Sequence, residues 1–257
     1  MEQQGLKRQL GTVSATALVV SNMIGTGIFT TSGYLAGDLG SPGLVVGIWF
    51  VGAVVALAGA LCYAELGANF PRSGGEYVYL TEAWGPAWGF VDGWVSFVAG
   101  FSAAIATSAL AIAAYLGYFY PALDPNQSAA SDVVLGPIVL HFGGGHLLAC
   151  GVVLLFTLLN VFGVGQVAKL QNVLTAGKLL VLALFLVLGF SVGQGDWAHF
   201  SQPAERVSSS PLPAQFLISL VFVYFGYSGW NAAVYVAEEI KNPARTLPVA
   251  LVSGTLL

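Results

Sequence analysis

The sequence predicts an all-α polytopic membrane protein in which two of the spanning helices are broken. Three observations carry this reading. The chain is 56% hydrophobic and 8% charged, with a mean hydropathy of +0.80, whereas soluble domains carry about 25% charged residues. Apolar runs long enough to cross a bilayer, which takes about 20 residues, recur between polar or glycine- and proline-rich connections. Two of those runs are interrupted midway by glycines and polar side chains.

Taken in order, the apolar runs predict helices near Val13–Ala36, Leu44–Ala64, Trp88–Tyr115, Leu147–Gly163, Val173–Gly189 and Phe216–Val236. A seventh begins near Val249, too close to Leu257 to span. Lys7, Arg8, Arg72, Lys169, Lys241 and Arg245 fall in alternate connections, and Arg206 is the one basic residue of the others. By the positive-inside rule this alternation puts the N-terminus in the cytoplasm. The connection Phe70–Gly85 carries Glu76–Glu82, which reads either as a short amphipathic helix at the interface or as a solvated linker. The connection Tyr120–Gly145 is expected to be irregular.

The first break is Ser21-Asn22-Met23-Ile24-Gly25-Thr26-Gly27. Irregular backbone at membrane depth is tolerated only where it is buried in protein or lines a cavity. The helix resuming after Gly25-Thr26-Gly27 presents free N–H groups and a positive dipole end, which suit an anionic oxygen group. The second break is Phe225-Gly226-Tyr227-Ser228-Gly229-Trp230-Asn231, where Ser228 and Asn231 bring polar groups to mid-membrane. Close packing through small residues is the plainer explanation of one such run. Two breaks in corresponding places point instead to a transporter site. Carbonyls near Met23 and Phe225, at the C-terminal ends of the preceding half-helices, suit a cation. A small zwitterion satisfies both ends, and an α-amino acid is the economical ligand.

Lys178 lies inside an apolar run. It is either a cation near a binding site, a proton carrier, or a lysine snorkelling to the interface. Gly100, Ala104 and Ser108 recur every four positions and fit a pocket wall or a packing face equally. Cys62 and Cys150 sit in apolar runs and read as small core residues. His141, His146 and His199 show no metal-ligand spacing. No nucleophile elbow, P-loop or dinucleotide fingerprint is present, so no enzyme, metal or cofactor is expected. The scattered net charge of −4 gives no nucleic-acid surface. Glu65, Asp92, Glu238 and Glu239 are expected at helix ends as gating or capping partners of Arg72, Lys241 and Arg245.

The motifs resemble the amino acid–polyamine–organocation superfamily. Gly25-Thr26-Gly27-Ile28-Phe29 is similar to its first-helix motif, and Leu61–Gly67 with Ser73-Gly74-Gly75-Glu76-Tyr77 to its second helix and inner loop. Ala176–Leu180, Ser228-Gly229-Trp230-Asn231 and Glu238–Pro243 resemble its L-type amino-acid exchanger branch. The resemblance implies a LeuT-like fold of two inverted five-helix repeats, truncated here within the seventh helix. Residues 1–191 would be the first repeat, 192–215 a loop, and 216–257 the start of the second repeat. It implies that Gly25, Thr26 and Gly27 offer their backbone to a substrate carboxylate. Met23, Phe225 and Ser228 would offer carbonyls to the ammonium, with Phe225 also an aromatic lid and Asn231 a polar wall. Glu238 and Glu239 would belong to the gate. Lys178 would take the place of a sodium ion, which implies exchange or proton coupling. The connection after the third helix lacks the cysteine with which animal exchangers bond a heavy chain. This implies a stand-alone transporter of neutral L-amino acids in a prokaryotic plasma membrane. The alternative is a non-transporting fragment that binds amino acids or acts as an assembly module.

Overall fold

The computed structural model describes residues 8–126, 131–136, 138–161, 164–193 and 195–257. Among these, four helical stretches are long and apolar enough to cross a membrane: Thr12–Leu39, Pro42–Asn69, Pro86–Gly117 and Val173–Ser191. Gly144–Leu159 and Leu212–Gly226 are shorter apolar helices. The chain divides into two compact units, Met1–Asp92 with Gln194–Leu257, and Gly93–Gly193.

In the first unit the opening span is two helices, α1 (Thr12–Met23) and α2 (Thr26–Leu39). Next come α3 (Pro42–Asn69) and the short α4 (Glu76–Trp84), followed by α5 (Pro86–Val95), whose last three residues belong to the second unit. The sixth predicted helix is α9 (Leu212–Gly226), a turn, and a 3-10 segment over Ala232–Glu239. The last helix, α10, covers Pro243–Leu256 and so starts earlier than the expected Val249. Pro243 occupies the first turn, where its missing N–H costs nothing. Pro248, one turn in, forfeits a single helical bond without stopping the helix.

Lipid offers no hydrophobic drive for helices to associate, so close packing of small residues does the work. On α3 the buried positions Gly52, Ala56, Ala60 and Ala64 recur every four residues. Ala56, Ala60 and Ala64 share one core with Trp230, Ala233, Leu247, Ala250 and Leu251 from the later elements, and with Ala15 and Val19 of α1. A second cluster joins Leu35 and Leu39 of α2, Ile48 of α3 and Val223 of α9.

Two polar straps close the ends of this unit. At one end Gln9 and Leu10 donate their backbone N–H groups to the Glu239 carbonyl at 2.8 and 2.9 Å, and Lys241 donates to Leu10 at 2.8 Å. At the other, Ala204 donates to the Gly40 carbonyl at 2.7 Å and Val207 to Gly37 at 2.9 Å. Arg206 Nε reaches the Asp38 carbonyl at 2.9 Å. Beneath that strap Gln215 of α9 bonds Asp38 Oδ2 at 3.1 Å and the Ser219 hydroxyl at 3.2 Å, and accepts from Ser208 at 2.6 Å.

The second unit holds a π-helical turn at Ser96–Phe101, then α6 (Ser102–Gly117), α7 (Gly144–Val161) and α8 (Val164–Ser191). α6 packs on α7. Its buried small residues are Ala109, Ala113 and Gly117, whereas Gly100, Ala104 and Ser108 are exposed. The connection expected to be irregular contains an antiparallel hairpin, β1 (Ser131–Leu135) and β2 (Ile138–Phe142), with Leu135 opposite Ile138. Helix α8 begins at Val164, so Lys169, expected in a loop, lies within it.

Gln215 is 6% exposed and Ser219 is fully buried, which gives the strap an energetic signature. Gln215→Leu should destabilise the fold by about 1–3 kcal/mol, because it leaves the Ser219 hydroxyl buried without its partner. Adding Ser219→Ala should recover part of that loss in thermal unfolding of the detergent-solubilised protein. No recovery would show that the hydroxyl was never the source of the cost.

Candidate functional site

The two breaks meet in the first unit. Helix α1 ends in a tight turn at Ile24, whose φ of −78° and ψ of 83° fit an inverse γ-turn. Its hydrogen bond runs from the Gly25 N–H to the Met23 carbonyl at 2.9 Å. The polar residues before the turn fold back on α1: Ser21 Oγ and Asn22 Nδ2 both donate to the Leu18 carbonyl, at 3.1 and 2.8 Å. Helix α2 then starts at Thr26 with Gly25 extended before it and no side chain capping its first turn. The N–H groups of Thr26 and Gly27 therefore sit at the positive end of a new helix.

At the other break α9 ends at Gly226. The Tyr227 N–H is shared between the Val223 and Tyr224 carbonyls, at 3.1 and 3.2 Å, and Ser228 donates to the Phe225 carbonyl at 3.0 Å. The carbonyls of Met23 and Phe225, expected to suit a cation, thus each accept one local bond and keep a second lone pair.

Glycine permits the crossing. A Cβ built on Gly27 would stand 3.0 Å from the Gly226 Cα and 3.9 Å from the Phe225 oxygen. A Cβ on Gly229 would stand 2.7 Å from the Asn22 carbonyl carbon, and Gly229 itself has φ of +110°. The donor end of α2 and the acceptor end of α9 are brought together by two backbones in direct contact. Trp49 covers Gly226, Tyr227 packs edge-on against it at 5.6 Å between ring centroids, and the Tyr227 hydroxyl donates to the Trp49 carbonyl at 3.1 Å. Phe225 is 52% exposed, and Ser228 is exposed beside it.

Asn231 turns toward α4, where its Nδ2 donates to Glu76 Oε1 at 2.5 Å and to the Tyr235 hydroxyl at 3.0 Å. Glu238 and Glu239 enter through their backbones: the Glu238 N–H donates to Ser73 Oγ at 3.2 Å, and the Glu239 carbonyl holds the N-terminal strap. Among the described residues Arg72 pairs with Glu82, not with the carboxylates expected for it. Lys178 is half-buried on α8 in the second unit.

The sequence reading missed Glu76, Tyr63 and Tyr235 as members of one cluster. Its signal was the carboxylate directly after Ser73-Gly74-Gly75. Gly75, at φ of +53°, lies where a Cβ would be 2.9 Å from the rings and methyls of Tyr235 and Val234. That closeness seats Glu76 at the start of α4 beside the second break. Burial, and then the Glu76 carboxylate, push the Tyr79 phenol up to about 12, so it stays neutral at physiological pH.

Residues 10–257 match the family described as amino acid permease. The chain is 34% identical over 250 residues to the large neutral amino acids transporter small subunit 2 of Mus musculus, covering 96% of this chain and 44% of that protein. It is 32% identical to the Asc-type amino acid transporter 1 of Mus musculus over 97% of this chain and 45% of that one. It is 31% identical to the serine/threonine exchanger SteT of Bacillus subtilis (strain 168), over 100% of this chain and 53% of that one. The chain therefore spans about half the length of the curated relatives it matches.

The two glycines of the first break should respond differently to a methyl group. Gly25 has extended backbone and nothing within 4 Å of an added Cβ, so Gly25→Ala should fold with little change in stability. Gly27→Ala must push the Gly226 backbone away and should cost about 1–3 kcal/mol. Thermal unfolding of both variants in one detergent compares them, and equal losses would contradict the crossing.

Proposed function

Because the chain belongs to the amino acid permease family, we propose that it forms the substrate-binding part of a secondary active transporter of neutral L-amino acids. Family and apolar spans make it an integral membrane protein. The observation that carries the reading is the contact between Gly27 and Gly226, with the Phe225 carbonyl alongside. It sets N–H donors and carbonyl acceptors a few ångströms apart, as the two charges of an α-amino acid are. In this reading Gly25, Thr26 and Gly27 receive the carboxylate. Met23, Phe225 and Ser228 turn their remaining carbonyl lone pairs to the ammonium, and the exposed Phe225 ring closes over the site. Asn231 adds a polar wall beside the second break, and Glu238 and Glu239 serve the gate after it.

Lys178 supports exchange or proton coupling, since a tethered cation on α8 would remove the need for sodium. Lys7, Arg8, Arg72 and Lys241, with Lys169 and Arg245 near the starts of α8 and α10, support a cytoplasmic N-terminus. The segment between α6 and α7 holds no cysteine, which favours a transporter without a disulfide-linked partner, in a prokaryotic plasma membrane. The relatives' printed names, a neutral amino acid transporter subunit and a serine/threonine exchanger among them, agree with this substrate class.

The test is binding of a labelled neutral amino-acid panel to the purified chain, followed by uptake into liposomes. Intact amino acids should compete, and analogues lacking either the carboxylate or the amine should compete at least about tenfold less well, since each loses a charge-assisted contact. Gly27→Val should abolish binding. Equal competition by a simple amine would sink the zwitterion site. Binding without uptake would support the module reading.

A further inference from the structure

The carboxylate of Glu76 is where the second break meets the loop before α4. Asn231 Nδ2 donates to Glu76 Oε1 at 2.5 Å and to the Tyr235 hydroxyl at 3.0 Å. The phenols of Tyr63 and Tyr235 face the same carboxylate. A carboxylate has only acceptors to offer, so Asn231 donates to it. That fixes the Asn231 amide with its NH2 group toward Glu76, both hydrogens used, and makes the Tyr235 hydroxyl accept from Asn231.

The partners come from different parts of the fold. Tyr63 belongs to α3, Glu76 opens α4, Asn231 closes the turn after α9, and Tyr235 lies in the 3-10 segment. Glu76 stands at a helix N-terminus, where negative charge is favoured. The Tyr63 ring is held edge-on by Trp230 and Tyr79, with centroids at 4.8 and 5.5 Å. Nearby, the Glu238 N–H donates to Ser73 Oγ, a second tie between the same two segments. Asp92 and Tyr79 are the other ionisable groups facing this cluster.

We propose that Glu76 is a positioning residue for the amino-acid site: by holding Asn231, whose amide also reaches the Tyr235 hydroxyl, it sets how the chain leaves the second break, and so where the Phe225 and Ser228 carbonyls stand. The ligand in this inference rests on the amino-acid reading above; the latch rests on the hydrogen bonds. Glu76 does not touch substrate. It acts through a backbone that has few bonds of its own, and helical bonding resumes only at Ala232 and Val234.

Amide hydrogen exchange and amino-acid binding, measured together on the full chain, test it. The variants are Glu76→Gln, Tyr235→Phe, the exchanged pair Glu76→Gln with Asn231→Asp, and Tyr79→Phe as control. Tyr79 suits this because its buried hydroxyl has no hydrogen-bond partner among the described residues. Glu76→Gln should speed exchange over residues 227–240 about tenfold and weaken binding about tenfold, the loss of one charge-assisted hydrogen bond. Tyr235→Phe should move both in the same direction by less, and serves if Glu76→Gln does not fold. The exchanged pair restores an amide-to-carboxylate bond in the opposite sense and should recover both readouts, while Tyr79→Phe moves neither. Unchanged exchange in Glu76→Gln and Tyr235→Phe, or an exchanged pair no better than Glu76→Gln, overturns the positioning role. A wild-type chain that binds no amino acid defeats the amino-acid reading, and the exchange rates still decide whether Glu76 holds the break.

Discussion

The structure depends on two interrupted helices crossing where glycine in one leaves room for the backbone of the other. Gly27 lies against Gly226, and Gly229 against Asn22. A membrane interior forbids loose backbone unless protein surrounds it. The crossing satisfies that rule by packing one break against the other, and it leaves the first N–H groups of α2 beside the last carbonyls of α9. Side chains elsewhere matter chiefly because they hold this arrangement.

What holds it differs from one end to the other. Along the middle, the small-residue face of α3 lets Trp230 and α10 approach closely, and a Cβ on Gly59 would meet the Trp230 ring at 2.9 Å. At one end, backbone bonds from Gly37 and Gly40 and the Gln215 network tie α2 to α9 through the preceding loop. At the other, the N-terminal segment pairs with residues 239–241, and Glu76 gathers Asn231 and Tyr235. Each half of a broken helix is thus anchored to something other than its own other half. That is the arrangement a break needs if it is to hold a ligand instead of collapsing into a kink.

Much of this was legible in the sequence. Apolar length gave the spans, and glycines flanked by polar residues marked both breaks, because few other residue combinations make so poor a lipid-facing helix. The illegible parts have physical reasons. The start of α10 was missed because Pro243 and Pro248 resemble loop residues, although proline is welcome in a first turn. The hairpin was missed although a Gly136-Pro137 pair separates two β-branched runs. On the third span the buried face is Ala109, Ala113 and Gly117 and not the Gly100 series, and periodicity alone cannot tell which of two small-residue stripes is covered. Glu76 escaped because its partners are distant in sequence, and only the fold brings Tyr63 and Asn231 to it.

An experimental structure of the chain with a neutral amino acid bound tests the crossing most directly. The first helix should be interrupted at Ile24 and Gly25, with the ligand between the breaks. Its carboxylate should rest on the Thr26 and Gly27 N–H groups and its ammonium against the Phe225 and Ser228 carbonyls. A first span helical through residues 23–27, or a ligand bound away from Gly27 and Gly226, would contradict it.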